Sequence, residues 1–211
     1  NGKQRVTIRH VLTHRAGIPV VPWEDVDLDM LTDPKRIVAY LCDAQPTSIA
    51  GRRLAYHALT GGYLLGEIIE RVTGRSLQGV LDDVIRTPLG LQTFTYGVPD
   101  AQVELIAEHA VTGPRARPPS SWLLKRAFGV THEECVEFSN DRRYITGVVP
   151  SGNVIATAEE TGRFLECLLR DGAWEGEQVF QRRTVHRAVA EQNAYELDMV
   201  LMMPLRYGMG F

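Results

Sequence analysis

Lysine is scarce in this chain. Only Lys3, Lys35 and Lys125 supply that side chain among 23 basic residues, and the formal net charge of the 211 residues is -3. This charge balance provides no basic patch for nucleic acid or for an anionic membrane surface. The sequence therefore predicts no nucleic-acid partner, and it leaves few candidates for a catalytic lysine.

Cysteines and long apolar runs are equally sparse. Cys42, Cys135 and Cys167 are widely separated and follow no metal-binding spacing, so we expect them to be reduced and buried. No run of eighteen apolar residues occurs, which argues against a transmembrane segment in this chain. His10 and His14 stand four positions apart on a predicted helix, but the glutamate of a His-Glu-x-x-His motif is absent. We expect neither a metal nor another cofactor.

The composition that remains is typical of an ordinary globular domain, with 44% hydrophobic and 23% charged residues. Apolar residues at helical spacing predict helices over residues 6–14, 34–43, 59–72, 77–85, 157–172 and 182–192. The segment from Thr157 to Glu160 has the pattern of a capping box. From Leu205 onward the pattern is typical of the start of a strand.

Two glycines in the longest predicted helix, Gly62 and Gly66, have a spacing known from close-packed membrane helices. The charged residues Glu67, Glu70 and Arg71 on the same helix exclude a lipid setting. We therefore expect the two glycines to admit a neighbouring backbone.

Three segments stand out by their motifs, namely residues 6–19 (VTIRHVLTHRAGIP), residues 54–74 (LAYHALTGGYLLGEIIERVTG) and residues 149–153 (VPSGN). Together they resemble the serine β-lactamases, penicillin-binding proteins and their carboxylesterase relatives. The second is similar to the family's Tyr-x-Asn segment and the helix after it, and it is the most specific of the three. The order and separation of the segments also fit the family.

The resemblance implies an α+β fold of the β-lactamase/transpeptidase type, present here mainly as its helical region with few short strands. We expect residues 1–211 to be a single partial domain, the central helical part of such a hydrolase. The N-terminal Ser-x-x-Lys segment and the C-terminal strands are expected elsewhere in the parent protein.

The chemistry implied by the resemblance is acyl transfer, in which a serine attacks a carbonyl and a lysine and a tyrosine handle its proton. The motif assigns the tyrosine role to Tyr56. Neither Lys35 nor Lys125 follows a serine by three positions, Lys3 immediately precedes the first family segment, and no Lys-Thr-Gly or His-x-Gly triplet is present. The chain alone is therefore predicted to be inactive.

Position 58 decides the expected substrate. Ala58 stands where β-lactamases of the Tyr-x-Asn type have an asparagine that contacts the drug. Losing this hydrogen-bond partner costs about 0.5–1.5 kcal/mol, so we rank carboxylic esters above β-lactams as the small-molecule substrate.

Three further residues are candidates for substrate binding, His57 beside Tyr56 and Ser151 and Asn153 in the third segment. Each has a structural alternative: His57 could point away from the site, and the other two could simply turn the chain before a helix. Trp23 is expected in a surface loop rather than in the cleft. A non-catalytic binding or regulatory homologue, or an isolated stable subdomain, remains the alternative to an enzyme. The compartment and the oligomeric state cannot be read from the sequence.

Overall fold

The structure is a computed structural model that describes residues 2–18 and 26–210. Trp23 lies outside the described residues. In the described part the chain is mostly helical, with ten α-helices: α1 (Ile8–Leu12), α2 (Leu28–Leu31), α3 (Pro34–Asp43), α4 (Ala58–Thr73), α5 (Leu77–Leu81), α6 (Ser120–Phe128), α7 (His132–Asn140), α8 (Arg142–Thr146), α9 (Ala158–Leu169) and α10 (Arg182–Val189).

The strands are short and pair locally. Three antiparallel pairs are formed by β1 (Thr95–Tyr96) with β2 (Val154–Ile155), β3 (Ala173–Trp174) with β4 (Glu177–Gln178), and β5 (Glu196–Leu197) with β6 (Pro204–Leu205). The prediction of a mainly helical region with few short strands is confirmed.

Helix α4 is central to the larger core. Its Tyr63 is almost wholly buried, and the phenol donates a 2.5 Å hydrogen bond to the carbonyl oxygen of Leu31. The buried residues around it come from α1, α2 and α3, among them Val11, Leu31 and Ile37. A second cluster, around Leu89 and Cys167, lies under α5 and α9. The first core holds the start of α4 and therefore the segment that contains Tyr56.

The glycine prediction for α4 is confirmed at Gly62 and not at Gly66. A Cβ on Gly62 would lie 2.6 Å from the carbonyl oxygen of Pro150 and would also overlap Ser151 Oγ. A Cβ on Gly66 would meet only side chains, Leu77 at 3.4 Å and the ring of Pro150 at 3.5 Å, which are ordinary contact distances. Gly62 is therefore the glycine that lets the loop of residues 149–153 lie directly on α4.

Several predicted boundaries differ from the structure. The α-helical part of the segment 77–85 ends at Leu81 and continues as a π-helical turn, Asp82–Arg86. The helix predicted over 182–192 ends at Val189, because Ala190 adopts an extended conformation. After Leu205 the described chain forms no strand, because the amides of Tyr207 and Gly210 donate to Asn193 Oδ1 and to the carbonyl oxygen of Leu12.

The capping box predicted at α9 forms only in part. Thr157 Oγ1 accepts from the amide of Glu160, as expected. The carboxylate of Glu160 turns away and accepts from the amides of Gln92 and Thr93, at 2.5 and 2.9 Å. Glu160 therefore joins α9 to the segment before β1 instead of closing its own helix.

Candidate active site

Tyr56 lies at the end of an extended segment just before α4. The amide of Ala55 donates to the carbonyl oxygen of His14 at 2.9 Å, and the amide of Tyr56 donates to Asp198 Oδ2 at 2.9 Å. Contacts from both sides thus fix the backbone of Tyr56. Asp198 is separated from it by 142 positions in the sequence.

Asp198 is a fully buried carboxylate with four hydrogen-bond donors. Besides the amide of Tyr56, it accepts from the amides of Val200 and Leu201, both at 2.8 Å, and from the phenol of Tyr207 at 3.1 Å. Burial of a carboxylate is costly unless its oxygens are hydrogen-bonded, and here both oxygens have partners. Asp198 therefore holds the backbone of Tyr56 in a fixed position.

Aromatic rings surround the Tyr56 side chain. The ring centroid of His14 lies 5.0 Å from that of Tyr56 and 4.6 Å from that of Tyr207, and the two tyrosine rings are stacked at 6.5 Å. His14 follows α1 with a φ of 54°. It lies outside α1, so the predicted helix over residues 6–14 is wrong at His14.

His57 points into the protein. Its ring nitrogens lie 2.9 Å from the carbonyl oxygen of Ala55 and 3.2 Å from that of Val11, and its amide donates to His14 Nδ1 at 3.3 Å. Only 6% of the residue is exposed. The structure thus places His57 between α1 and the start of α4, where it contacts His14 at a ring distance of 4.9 Å.

The phenol of Tyr56 borders a cavity of about 230 Å³ that Ser151 also lines. Ser151 is exposed and has a φ of 65°, a left-handed conformation in the tight loop over Gly62. Among the described residues, neither the Tyr56 phenol nor the Ser151 hydroxyl has a hydrogen-bond partner. Both hydroxyls are therefore available to a ligand. A larger cavity, of about 780 Å³, lies between β2 and residues 98–109, and neither Tyr56 nor Ser151 lines it.

Asn153 is buried behind this loop. Its Oδ1 accepts from the amide of Val149 at 2.8 Å, and its Nδ2 donates to the carbonyl oxygens of Tyr144 and Gly147 at 2.7 and 2.8 Å. These three bonds engage most of the hydrogen-bonding capacity of the amide. In this arrangement Asn153 shapes the loop that presents Ser151.

Burial and the charge of Asp198 both raise the pKa of the Tyr56 phenol. All three lysines lie within the described residues, and none lines the cavity beside Tyr56. Lys3 instead caps the end of α3, donating to the carbonyl oxygens of Leu41, at 2.8 Å, and Ala44, at 2.6 Å. With these surroundings Tyr56 is a neutral phenol at pH 7.

Three contributors to the site have no sequence signal of their own, namely Asp198, Tyr207 and the ring of His14. His14 belongs to the first family segment, but its contact with Tyr56 depends on the chain leaving α1 after Leu12. The surroundings of Asp198 and Tyr207 form no motif, so only the fold reveals their contact with Tyr56.

Residues 1–211 match the family model described as Beta-lactamase. The chain belongs to the beta-lactamase family. Among curated proteins it is 23% identical to the Esterase/beta-lactamase LipL of Mycobacterium tuberculosis, over all of this chain and 51% of that protein.

Solved structures of this family confirm the fold. The chain is 28% identical to a penicillin-binding protein homolog from Caulobacter crescentus, with a TM-score of 0.80 over all of this chain and 55% of that one. It is 25% identical to a family VIII carboxylesterase, with a TM-score of 0.83 and the same coverage. The chain thus spans about half the length of the relatives it matches.

Two searches of the described residues were negative. No helix in residues 2–18 and 26–210 is both long and apolar enough to cross a membrane. Within the same ranges, no group of three or more His, Cys, Asp or Glu side chains is placed to hold a metal ion.

Proposed function

We propose that the protein containing this chain is a serine hydrolase that acts on carboxylic esters through an acyl-enzyme. Tyr56 provides the phenol that exchanges a proton with the nucleophilic serine and the leaving group. Residues 1–211 form one partial domain of this enzyme, its central helical part.

The observation that supports this role is the contrast between the backbone and the hydroxyl of Tyr56. Its own amide bonds to Asp198 and the preceding amide to His14, whereas Tyr56 lines the cavity and its hydroxyl has no hydrogen-bond partner among the described residues. A group that exchanges protons with a substrate needs a fixed position and an unoccupied hydroxyl.

The raised pKa of Tyr56 sets a requirement on the rest of the site. Lowering the pKa of a phenol from about 10 to near 7 requires that the anion be stabilised by about 4 kcal/mol relative to the neutral form. Among the described residues, the carboxylate of Asp198 acts on this phenol, and its charge raises the pKa instead of lowering it. We propose that the serine and a lysine ammonium come from parts of the protein outside residues 1–211.

Esters rank above β-lactams on two grounds. The first is Ala58, which replaces the asparagine of the Tyr-x-Asn motif. The second is the likeness to a protein described as a family VIII carboxylesterase, which is 25% identical.

Fluorophosphonate labelling of the full-length protein tests the proposal. We expect one serine to be labelled, and Tyr56→Phe to lower both the labelling rate and kcat/KM for a p-nitrophenyl ester by about 10²–10⁴-fold, the range for general acid–base groups. Circular dichroism shows whether the variant keeps its fold.

Tyr195→Phe is the matched control, because it removes the same hydroxyl from a residue that is 68% exposed. Equal effects of the two variants would remove Tyr56 from the mechanism. No labelling and no ester turnover would favour the alternative, a binding or regulatory homologue that retains only the fold.

A further inference from the structure

The cavity beside Tyr56 has a wall that the family motifs do not predict. It is built by α6, α7 and the turn between them, which contribute Ala127, Val130, Cys135 and Phe138. These residues lie in the stretch between the second and third family segments, which contains no family motif. The wall nevertheless faces the same space as the phenol of Tyr56.

The lining of this cavity is largely apolar and carries no charge among the described residues. Its apolar lining consists of Leu31, Leu59, Ala127, Val130, Phe138 and Val149. No Asp, Glu, Lys, Arg or His side chain occurs among the described residues that line it. Moving an unpaired charge into such surroundings is strongly unfavourable, so an occupant should be uncharged there.

The polar groups in the lining divide into two pairs. Ser139 Oγ donates to the carbonyl oxygen of Cys135 and the Tyr144 phenol to that of Gly152, each at 2.8 Å. The hydroxyls of Tyr56 and Ser151 are unpaired among the described residues. Polar recognition is thus restricted to these two hydroxyls, and the rest of the lining offers contacts to an apolar chain.

We infer that this cavity receives the uncharged, apolar group of the ester substrate, and that Ala127 and Val130 limit the length of that group. The inference rests on the proposed function and adds a specificity site to it. The cavity volume of about 230 Å³ is many times the ~10–15 Å³ that a single water requires, so the cavity has room for a group of several heavy atoms. A phenyl ring or a short alkyl chain fits this volume.

Substrate profiling of the full-length enzyme tests the length limit. With p-nitrophenyl esters of increasing acyl length, kcat/KM should rise about fourfold for each methylene that enters the cavity and then fall. Ala127→Leu fills the cavity and should move the optimum to shorter chains, whereas Val130→Ala enlarges it and should move the optimum to longer ones. Ala158→Leu, at an exposed position on α9, and Val189→Ala, at an exposed position on α10, are matched controls.

Alkylation of Cys135 tests occupancy without any turnover. N-ethylmaleimide modification is followed by peptide mass spectrometry in the presence of 1-hexanol or of glycerol. Hexanol should slow modification of Cys135, which lines the cavity, but leave the exposed Cys42 unaffected. Glycerol should slow neither.

The two experiments test the inference about the cavity separately from the proposed hydrolase function. If both cavity variants keep the wild-type length profile and still hydrolyse esters, the inference is overturned and the hydrolase function is supported. Equal modification of Cys135 with hexanol and glycerol also overturns it. Protection of Cys135 in a protein that turns over no ester supports the apolar site and contradicts the hydrolase.

Discussion

His14 shows how strongly the surroundings of Tyr56 alter an ordinary side chain. Burial, together with the neighbouring His57, lowers its pKa from 6.5 to about 4, although the charge of Asp198 acts in the opposite direction. The imidazole is therefore neutral in the folded protein at pH 7. In this form its Nδ1 accepts the amide of His57.

This shift makes stability depend on pH. Above pH 6.5 His14 is neutral in the folded and unfolded states and adds no pH dependence. Between pH 6.5 and about 4 only the unfolded state binds the proton. The free energy of unfolding therefore decreases as the pH decreases, by about 3 kcal/mol at most from this group. Burial also lowers the pKa of His57, which adds a loss of the same sign.

His14→Asn should flatten that pH profile. Asparagine tolerates a positive φ, and its side-chain oxygen can replace Nδ1 as an acceptor. We expect the variant to be less stable than wild type at pH 7, by about 1 kcal/mol for lost ring contacts, and the difference to shrink towards pH 4. Urea unfolding at several pH values measures it, with the exposed His132→Asn as control. Parallel pH profiles for wild type and His14→Asn would contradict the assignment.

For individual residues, the sequence predicted part of the candidate site. Tyr56 lies in the most specific of the three family segments, whereas the pattern around Ser151 also fits a residue that simply turns the chain. The segment Glu-Leu-Asp-Met-Val around Asp198, in contrast, is typical of an exposed turn. Its carboxylate is fully buried only because the turn folds against residues 54–56. Such a contact depends on tertiary structure and leaves no local pattern.

Among the elements, α4 links the core to the site. It buries Tyr63 in the core, and its Gly62 lies under the loop that presents Ser151. The helix begins immediately after His57 and ends at Gly74, whose φ of 68° is the left-handed conformation common at helix ends. Apolar periodicity predicted its limits to within one residue.

Gly62→Ala tests whether packing against the loop or helix propensity has the larger effect on the free energy of unfolding. Alanine favours a helix over glycine by about 1 kcal/mol, but its Cβ would overlap Ser151 Oγ and the carbonyl oxygen of Pro150. Overpacking of this kind typically costs about 1–3 kcal/mol, so after the gain in helix propensity we expect a net loss of up to about 2 kcal/mol in the free energy of unfolding. Because the loop must move, ester turnover should fall as well.

Gly162→Ala on α9 is the matched control. A Cβ there meets nothing within 4 Å, so propensity acts alone and the variant should gain about 0.5–1 kcal/mol. Equal stabilisation by both substitutions in thermal unfolding would show that the loop does not lie on α4.

Prediction of elements failed where tertiary hydrogen bonds replace local ones. The carboxylate of Glu160 closes no capping box because it accepts the amides of Gln92 and Thr93. After Leu205, alternation predicted a strand, yet the amide of Tyr207 donates to the side chain of Asn193. Apolar periodicity contains no information about such partners.

Across the whole molecule, the last part of the described chain folds back on the first part. The amide of Gly210 donates to the carbonyl oxygen of Leu12 at 3.1 Å, and that of Met199 to the carbonyl oxygen of Leu54 at 2.9 Å. Arg15 forms an ion pair with Glu196 beside these bonds. Tyr56 therefore lies between two segments that are distant in sequence, and its position depends on their association.

Asp198 is the residue on which that association depends most, because its carboxylate joins four donors. Asp198→Ala leaves the amides of Tyr56, Val200 and Leu201 and the phenol of Tyr207 without their acceptor, and we expect a loss of about 3–5 kcal/mol in the free energy of unfolding of the full-length protein. Asp198→Asn keeps one acceptor oxygen and should lose less. Asp43→Ala, at an exposed carboxylate, should change stability by less than about 0.5 kcal/mol.

Hydrogen exchange distinguishes a local effect from loss of this association. If Asp198 connects the two segments, Asp198→Asn should speed exchange at the amides of Tyr56 and Met199 together, since one opens when the other does. The amide of Gly129, at the end of α6 and bonded to the carbonyl oxygen of Lys125, should keep its wild-type rate. Faster exchange at Met199 alone would confine Asp198 to its own turn, and Tyr56 would then be held from the His14 side only.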